Sequence, residues 1–187
     1  MMCRYADDVV VACRFQDDAE RFSQVLPKRL GKFGLEVAPE KTQVLRFSRF
    51  HPSMKRRLTL LGFELYWFPD RQGAMRVKHR TARKKLQDAC RRIKEWIKAN
   101  RHLKGKQCIQ ERNRRLQGHD NYDGLRGNRA SLDRFYTWAK QCAFTWLNRR
   151  GGKRKSFTWK AFERALDRLG IALPKITEVK RQHVVYA

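Results

Sequence analysis

The stretch Arg4–Val11 reads Arg-Tyr-Ala-Asp-Asp-Val-Val-Val, and it decides how the first part of the chain folds. An apolar-leaning arm ends at Tyr5, Ala6 and two acids follow, and a run of valines comes next. β-Branched residues favour strands, whereas aspartate favours turns. We therefore predict a β-hairpin over residues 2–14, with its turn at residues 6–8 and a buried return strand over residues 9–13.

Two adjacent carboxylates at the tip of a hairpin have two interpretations. Asp7 and Asp8 are common turn residues, so a solvated turn is the simpler one. Carboxylate oxygens held close together are also the ligands that hard divalent cations prefer, so the second is a metal site. The residues by themselves leave both open.

The rest of the first unit predicts one helix and further strands. Asp17 and Asp18 place negative charge at the start of a helix, and Gly34 is a natural end for it. Strands are predicted to follow over residues 35–37, 42–47, 58–68 and 74–77. Residues 1–78 are therefore predicted to be α+β, an antiparallel sheet of roughly four to six strands with one packed helix.

The pattern changes to helices after residue 78. Residues 81–100 and 128–147 each place apolar side chains at a 3.6-residue period, with arginine and lysine on the other face of the first. A shorter helix is predicted over residues 107–116. Residues 79–187 are therefore predicted to form an all-α bundle.

Three features of the second unit lie outside those helices. Glycines at the two ends of residues 118–124 predict a turn. A last helix is expected from a Thr158 cap to a stop at Gly170. The tail from Leu173 is predicted to be loosely held.

The chain is strongly and unevenly basic. Lysine and arginine number 44 against 18 acidic residues, a net charge of +26. Residues 71–155 hold 26 basic and 6 acidic residues, whereas residues 1–70 hold 12 and 9 and residues 156–187 hold 6 and 3. Cations this dense repel one another unless a polyanion neutralises them, so nucleic acid is the expected partner. An anionic membrane surface is the competing partner, but the aromatic side chains of the basic segment fall on core faces.

Other classes of protein are excluded by simple patterns. No uncharged apolar run reaches the length of about 18 residues that a membrane span needs, and charges interrupt the N-terminus where a signal peptide would be apolar. The five cysteines are widely scattered, with no Cys-x-x-Cys pair, which argues against a zinc site or a disulfide framework. We expect a cytoplasmic protein without a membrane partner, whose thiols are free and mostly buried.

Several motifs together resemble one family. Tyr5–Asp8 resembles the Tyr-x-Asp-Asp turn of reverse transcriptases, and its alanine is typical of group II intron enzymes. Gly34–Thr42 resembles the next palm motif of these enzymes, and Leu60–Phe63 resembles their primer grip. Gly118–Asn128 and Trp146–Arg150 resemble the maturase-specific domain. The resemblance covers almost the whole chain in the family's order, and it implies the end of a palm over residues 1–78 and a thumb with a maturase domain over residues 79–187.

The resemblance assigns roles around the acid turn. Nucleotidyl transfer uses two Mg²⁺ ions, and Asp7 is implied as the principal metal ligand with Asp8 as a weaker one. Tyr5 and Ala6 would lie beside the primer end or the incoming nucleotide. Lys41 would neutralise or protonate the departing phosphate, although an ordinary surface lysine is the simpler interpretation. The primer strand would be supported by Leu61, Gly62 and Phe63, which the residues alone describe equally well as a core strand with a bulge.

The basic and maturase-like segments supply the candidate RNA contacts. Group II intron RNA is the implied structured partner, and a DNA primer or target is a second one. His119 has no acid at a catalytic spacing that we recognise, so it is assigned to RNA binding or structure and not to catalysis. The candidate RNA-binding residues are Arg83, Lys84, Arg91, Arg92, Arg112, Arg115, His119, Asn121, Tyr122, Arg149, Arg150, Lys153 and Arg154.

The sequence also departs from the family. Such polymerases take a third carboxylate from an upstream palm strand and hold the nucleotide with fingers, and neither is found here. We expect the chain alone not to extend a primer. Three interpretations follow: an RNA-binding fragment of an interrupted intron reading frame, one half of a split reverse transcriptase completed by a partner chain, or a free-standing, non-enzymatic RNA-binding cofactor of splicing or RNA folding.

Overall fold

The computed structural model describes residues 1–149 and 157–178. The chain divides into two units, of which the first ends at Lys78 and the second begins at His79. Within the described residues the fold is mixed α/β, with small antiparallel sheets and five helices.

The first unit begins with the predicted hairpin. Strands β1 (Met2–Tyr5) and β2 (Asp8–Val11) pair antiparallel, with Tyr5 opposite Asp8. The turn is therefore shorter than predicted, since Asp8 already belongs to the return strand. The prediction that this strand is buried is wrong, because Val9 is 43% exposed and no residue of β2 is buried.

Helix α1 (Gln16–Gly31) follows, with Asp17 and Asp18 in its first turn as predicted. It ends three residues before Gly34, which nevertheless adopts a positive φ of +69° in the turn that follows. No residue of α1 is buried, and Trp67 is the first buried residue of the chain. The apolar side chains of α1 are therefore at most half-buried, and those of Phe22 and Val25 are exposed.

The remaining strands form a second, separate sheet. Its order is β3 (Arg57–Leu60), β4 (Phe63–Pro69) and β5 (Met75–Thr81). The predictions of strands over 35–37 and 42–47 are wrong, because neither segment pairs with another strand among the described residues. Periodicity predicts an extended backbone, but a strand also needs a neighbour to complete its hydrogen bonds. The predicted single palm sheet is thus two small sheets.

The predicted continuous strand over residues 58–68 is interrupted by a turn. Leu61 and Gly62 have φ of +50° and +75°, and Leu60 lies opposite Phe63 across them. Two successive positive φ values define the tight hairpin turn that matches the twist of paired strands. Leucine is unusual at the first position of such a turn, so the apolar run over residues 58–68 predicted a continuous strand instead.

The second unit contains four described helices: α2 (Arg83–Ala99), α3 (Gly105–Asp123), α4 (Arg129–Asn148) and α5 (Trp159–Arg168). Their periodic apolar residues form one core, with Ile97, Ile109 and Ala139 among its least exposed members. The Thr158 hydroxyl accepts a hydrogen bond from the backbone N–H of Ala161 at 3.3 Å, which confirms the predicted cap of α5.

The predicted turn over residues 118–124 is wrong for most of its length. Helix α3 continues through Gly118 and ends only at Asp123, with Gly124 as its C-cap. A glycine inside a helix costs about 1 kcal/mol relative to alanine, which burial of neighbouring apolar residues outweighs. Ile109 and Leu116 provide that burial, at 2% and 3% exposure. His119, Asn121 and Tyr122 are therefore helical residues.

The segment after α5 is held more closely than predicted. The backbone N–H of Lys175 donates to Asp120 Oδ2 at 2.9 Å, and that of Thr177 donates to the Gly124 carbonyl at 2.8 Å. A Cβ on Gly124 would collide with the Asp120 carbonyl oxygen and crowd Thr177 Oγ1. Glycine at this helix end thus permits the chain to pack against it, and the prediction of a loose tail is wrong as far as residue 178.

Candidate nucleic-acid interface

The acid turn stands on the hairpin of the first unit. Ala6 adopts φ of +49°, a left-handed conformation that costs an alanine about 1–2 kcal/mol. Arg4 Nε donates to the Ala6 carbonyl at 3.0 Å and helps to hold it. Asp7 and Asp8 are both exposed, as are Tyr5 and Ala6. Backbone strain of this kind concentrates at functional sites, which draws attention to the turn independently of its sequence.

The two carboxylates fit a hard divalent cation only in part. Asp7 and Asp8 are adjacent, exposed and oxygen-bearing, which suits Mg²⁺. Within residues 1–149 and 157–178, however, no three or more potential ligands are grouped as a metal site would need. Neither aspartate forms an ion pair with another described residue, Lys41 included. Asp7 and Asp8 are by themselves too few for a metal site, and a cation held between them would need further oxygen ligands from elsewhere.

The other residues assigned to primer or phosphate lie in turns or, in the case of Phe63, directly after one. Lys41 is exposed in a turn closed by its own backbone N–H, which donates to the Ala38 carbonyl at 3.1 Å. Leu61 and Gly62 form the β3–β4 turn, and Phe63 begins β4. The structure therefore gives the Leu-Gly-Phe motif the shape of a hairpin tip, and not that of a bulged core strand.

Most of the candidate RNA contacts in the helical unit are on its surface. Those that the structure leaves exposed are Arg83, Lys84, Arg91, Arg92, Arg115, Asn121, Tyr122 and Arg149. Arg149 Cζ lies 4.7 Å from the centre of the Trp146 ring, and Lys98 and Arg101 approach the same ring at 5.4 and 5.9 Å. A tryptophan surrounded by cations is a feature of surfaces that stack on bases and neutralise phosphates. Arg150, Lys153 and Arg154 lie outside the described residues.

Arg112 is an exception, and its prediction as an RNA contact is wrong. Its side chain is fully buried in α3, and its guanidinium has no hydrogen-bond acceptor among the described residues. Burial lowers its pKa to about 10, an effect that Tyr136 and the thiols of Cys108 and Cys142 oppose. The guanidinium therefore remains charged at neutral pH. Its place on the inner face of α3 could have been read from its position three residues after Ile109 and four before Leu116.

Sequence reasoning missed a polar cluster in the second unit, which is formed by Thr81, Lys85, Asp123 and Asn128. Asp123 Oδ1 accepts hydrogen bonds from Thr81 Oγ1 at 3.0 Å and from Lys85 Nζ at 2.8 Å. Asn128 Nδ2 donates to Thr81 Oγ1 at 2.8 Å and to the Asp123 carbonyl at 2.7 Å. The cluster fixes the start of α2 against the end of α3 and the start of α4.

His119 completes this cluster. Its Nδ1 lies 3.1 Å from Asp123 Oδ2, and its ring centre is 4.0 Å from that of Phe135. Burial lowers the pKa of His119, with Asp123 opposing the shift and Lys85 and Arg92 adding to it. The spacing of histidine and aspartate by four residues was a usable signal, since it places both side chains on one helical face.

Comparison with known families bears on the first unit. Residues 1–65 match the family model described as reverse transcriptase (RNA-dependent DNA polymerase). No curated protein matches the chain. The match contains the Tyr-Ala-Asp-Asp turn, Lys41 and the Leu-Gly-Phe motif, and it supports a reverse transcriptase-related protein.

None of the described helices has the length and apolar character needed to cross a membrane.

Proposed function

We propose that this chain is an RNA-binding part of a group II intron reverse transcriptase/maturase, whose helical unit holds folded intron RNA. The observation that carries this proposal is the exposed basic side of α2, where Arg83, Lys84, Arg91 and Arg92 all reach solvent. The opposite side of the same helix is apolar and packs into the core through Ala89, Ile93 and Ile97.

Chemistry favours RNA over other anionic partners. A rigid helix that presents several arginines can contact successive phosphates, and each neutralised phosphate releases counterions. Arginine also stacks on unpaired bases, as do the exposed aromatic rings of such surfaces. Tyr122 is 55% exposed beside Lys85, whose Nζ lies 3.8 Å from the centre of its ring. DNA primer or target strands are the second partner that the same surface would accept.

The experiment compares two variants that remove equal charge. In one, Arg83, Lys84, Arg91 and Arg92 of the second unit become glutamine. In the control, the exposed cations Arg21, Lys28, Arg29 and Lys32 of the first unit become glutamine. Binding to a group II intron transcript is measured by fluorescence anisotropy at fixed salt. We expect the first variant to lose about tenfold or more in affinity and the control to lose much less. Equal losses would contradict a role for this side of α2.

We further propose that Asp7 and Asp8 hold Mg²⁺ for nucleotidyl transfer when other residues complete the site. The ion would activate the primer hydroxyl and stabilise the leaving pyrophosphate, and Lys41 would neutralise its charge. Because two carboxylates alone bind Mg²⁺ weakly, the purified chain with RNA template, DNA primer and Mg²⁺ should give no extension. Clear extension by the chain alone would contradict this part of the proposal.

A split reverse transcriptase is a second candidate, and one observation favours it. No residue among the first 66 is buried, and Phe22, Val25 and Phe33 on or after α1 are 37%, 54% and 75% exposed. Apolar surface of this extent is typical of a face that another polypeptide covers. The test adds a polypeptide containing the fingers and upstream palm of a group II intron enzyme. Extension that appears only with both chains, and disappears in the Asp7→Asn variant, supports this candidate, whereas RNA binding without extension favours a non-enzymatic cofactor.

A further inference from the structure

A cavity of about 430 Å³ lies in the second unit, lined by residues of α2, α3 and α4. This volume is within the range of about 300–1,000 Å³ that is usual for small-ligand sites. Part of the wall is apolar, from Ala89, Ile93 and Phe135, and part is cationic, from Lys85, Arg92 and Arg115. An apolar wall beside several cations suits a ligand that combines a ring with an anionic group.

Gly118 keeps one side of this cavity open. It lines the cavity in the middle of α3, and a Cβ added to it would meet no atom within 4 Å. Neither close packing nor a positive φ therefore requires glycine at this position. Because glycine costs about 1 kcal/mol here relative to alanine, the helix is less stable than it could be. The effect of the missing side chain is to leave space in the cavity.

His119 lies in the wall of the cavity, and its ring carries an unsatisfied polar atom that is covered in the absence of a ligand. Its side chain is 9% exposed, and its Nε2 is buried without a hydrogen-bond partner among the described residues. Since Nδ1 lies against the Asp123 carboxylate, the proton of a neutral ring belongs on Nδ1, which leaves Nε2 as an acceptor. A complementary ligand would offer a flat ring to pack beside Tyr122, which lines the cavity and is 55% exposed. It would also offer an N–H or O–H donor, which meets Nε2 when the His119 ring turns towards the cavity.

The cationic side chains that line the cavity differ in whether they already have an interaction partner. Lys85 pairs with Asp123 at 2.8 Å, and Arg115 Cζ lies 4.6 Å from the centre of the Trp96 ring. Arg92 is exposed and forms no ion pair with any described residue. Guanidinium groups bind phosphate oxygens in a planar, two-pronged geometry. Arg92 and Arg115 are thus suited to a phosphate at the cavity.

We propose that this cavity binds one unpaired nucleotide of the bound RNA, with its base beside Tyr122 and His119 and its phosphate on Arg92 and Arg115. The inference rests on the proposed RNA-binding function and adds a site to it. Unpaired RNA bases are recognised by stacking on aromatic rings and by hydrogen bonds to their edges. Tyr122 offers the ring at this cavity, and His119 offers the hydrogen-bonding group. A free nucleotide has the same chemistry and is the alternative source.

The test uses two RNA hairpins that differ by a single bulged 2-aminopurine. We expect the full-length wild-type chain to prefer the bulged hairpin by about tenfold, because stacking one base contributes on the order of 1–3 kcal/mol. Gly118→Leu places a large side chain in the cavity and should abolish this preference, with affinity for the fully paired hairpin within about twofold of wild type. Gly105→Leu is the matched control, since Gly105 is also a helical glycine with open space but does not line the cavity.

Each outcome has a distinct meaning. Loss of the preference in Gly118→Leu but not in Gly105→Leu supports the site. A wild-type chain that binds both hairpins equally overturns the nucleotide site while leaving RNA binding intact, and so does a folded Gly118→Leu that keeps the preference. A wild-type chain that binds neither hairpin contradicts the proposed function itself, and the site with it.

Two further arms complete the design. If Gly118→Leu loses helical circular dichroism, Arg92→Gln replaces it, and we expect the same loss of preference because Arg92 is exposed and outside the core. Competition by adenosine monophosphate for the bulged base would assign the cavity to nucleotides in general. A preference that resists this competition would restrict the site to nucleotides within RNA.

Discussion

His119 Nδ1 lies 3.1 Å from Asp123 Oδ2, one turn further along α3. This contact links a buried imidazole to a carboxylate that also holds Thr81 and Lys85. The packing of three helix ends therefore depends on a titratable group. The consequence is a stability that changes with pH.

Acidification should destabilise the second unit through His119. Burial holds the pKa of His119 below its ordinary value, so as pH falls the unfolded chain takes up this proton first. The stabilisation is complete above about pH 6.5, the unfolded value, and is lost as pH falls below it towards the folded pKa. We expect the Tm of the wild type to drop as the pH falls from about 6.5 to 5.5, and to drop less in His119→Gln. His102→Gln, at an exposed histidine, should behave like wild type, and an equal drop in all three proteins would exclude His119 as the cause.

Replacing Arg112 by methionine should stabilise the protein or leave it unchanged. A buried guanidinium without an acceptor carries a desolvation penalty that an apolar side chain of similar length avoids. We therefore expect the free energy of unfolding to stay the same or to rise by up to about 1–3 kcal/mol. Urea unfolding measures this change. RNA affinity should be unaffected by Arg112→Met and reduced by Arg115→Met, whose side chain is exposed. Weaker RNA binding by Arg112→Met with unchanged stability would show that the buried position is incorrect.

Two glycines of α3 should respond to alanine in opposite directions. Gly124→Ala places a Cβ against the Asp120 carbonyl and Thr177, so we expect a loss of about 1–3 kcal/mol. Gly118→Ala meets open space inside a helix and should gain about 0.5–1 kcal/mol. Chemical denaturation of both variants and of the wild type measures the two changes in the free energy of unfolding. A Gly124→Ala protein as stable as wild type would argue that the segment up to residue 178 does not pack there.

Some of this fold is readable from local sequence. The hairpin at Asp8 follows from a valine run after a turn residue. Helix α4 follows from strong periodicity, and α5 follows from periodicity together with a threonine cap. Both signals come from neighbouring residues. Where local chemistry decides the structure, the sequence predicts it well.

The errors in the prediction arise where contacts with residues distant in the sequence decide the structure. Residues 42–47 have an extended pattern but no strand to pair with, and Gly118 has a turn signal that helix packing overrides. Leu61 adopts a positive φ, which leucine rarely does, so its residue type did not predict the turn. The candidate interface contains an error of the same kind. The charge of Arg112 suggested a position on the surface, but its place on the inner face of α3 buries it in the core.

The central claim, that phosphates bind to the basic side of α2, is tested most directly by salt. The measurement is the affinity for a group II intron transcript across a series of KCl concentrations, for wild type and for the variant with glutamine at Arg83, Lys84, Arg91 and Arg92. If these side chains contact phosphates, the slope of log affinity against log salt should be steep for wild type and shallower by about three for the variant, since each contact contributes about 0.7–0.9. The same slope for both proteins, or a wild-type affinity that does not change with salt, would contradict the claim.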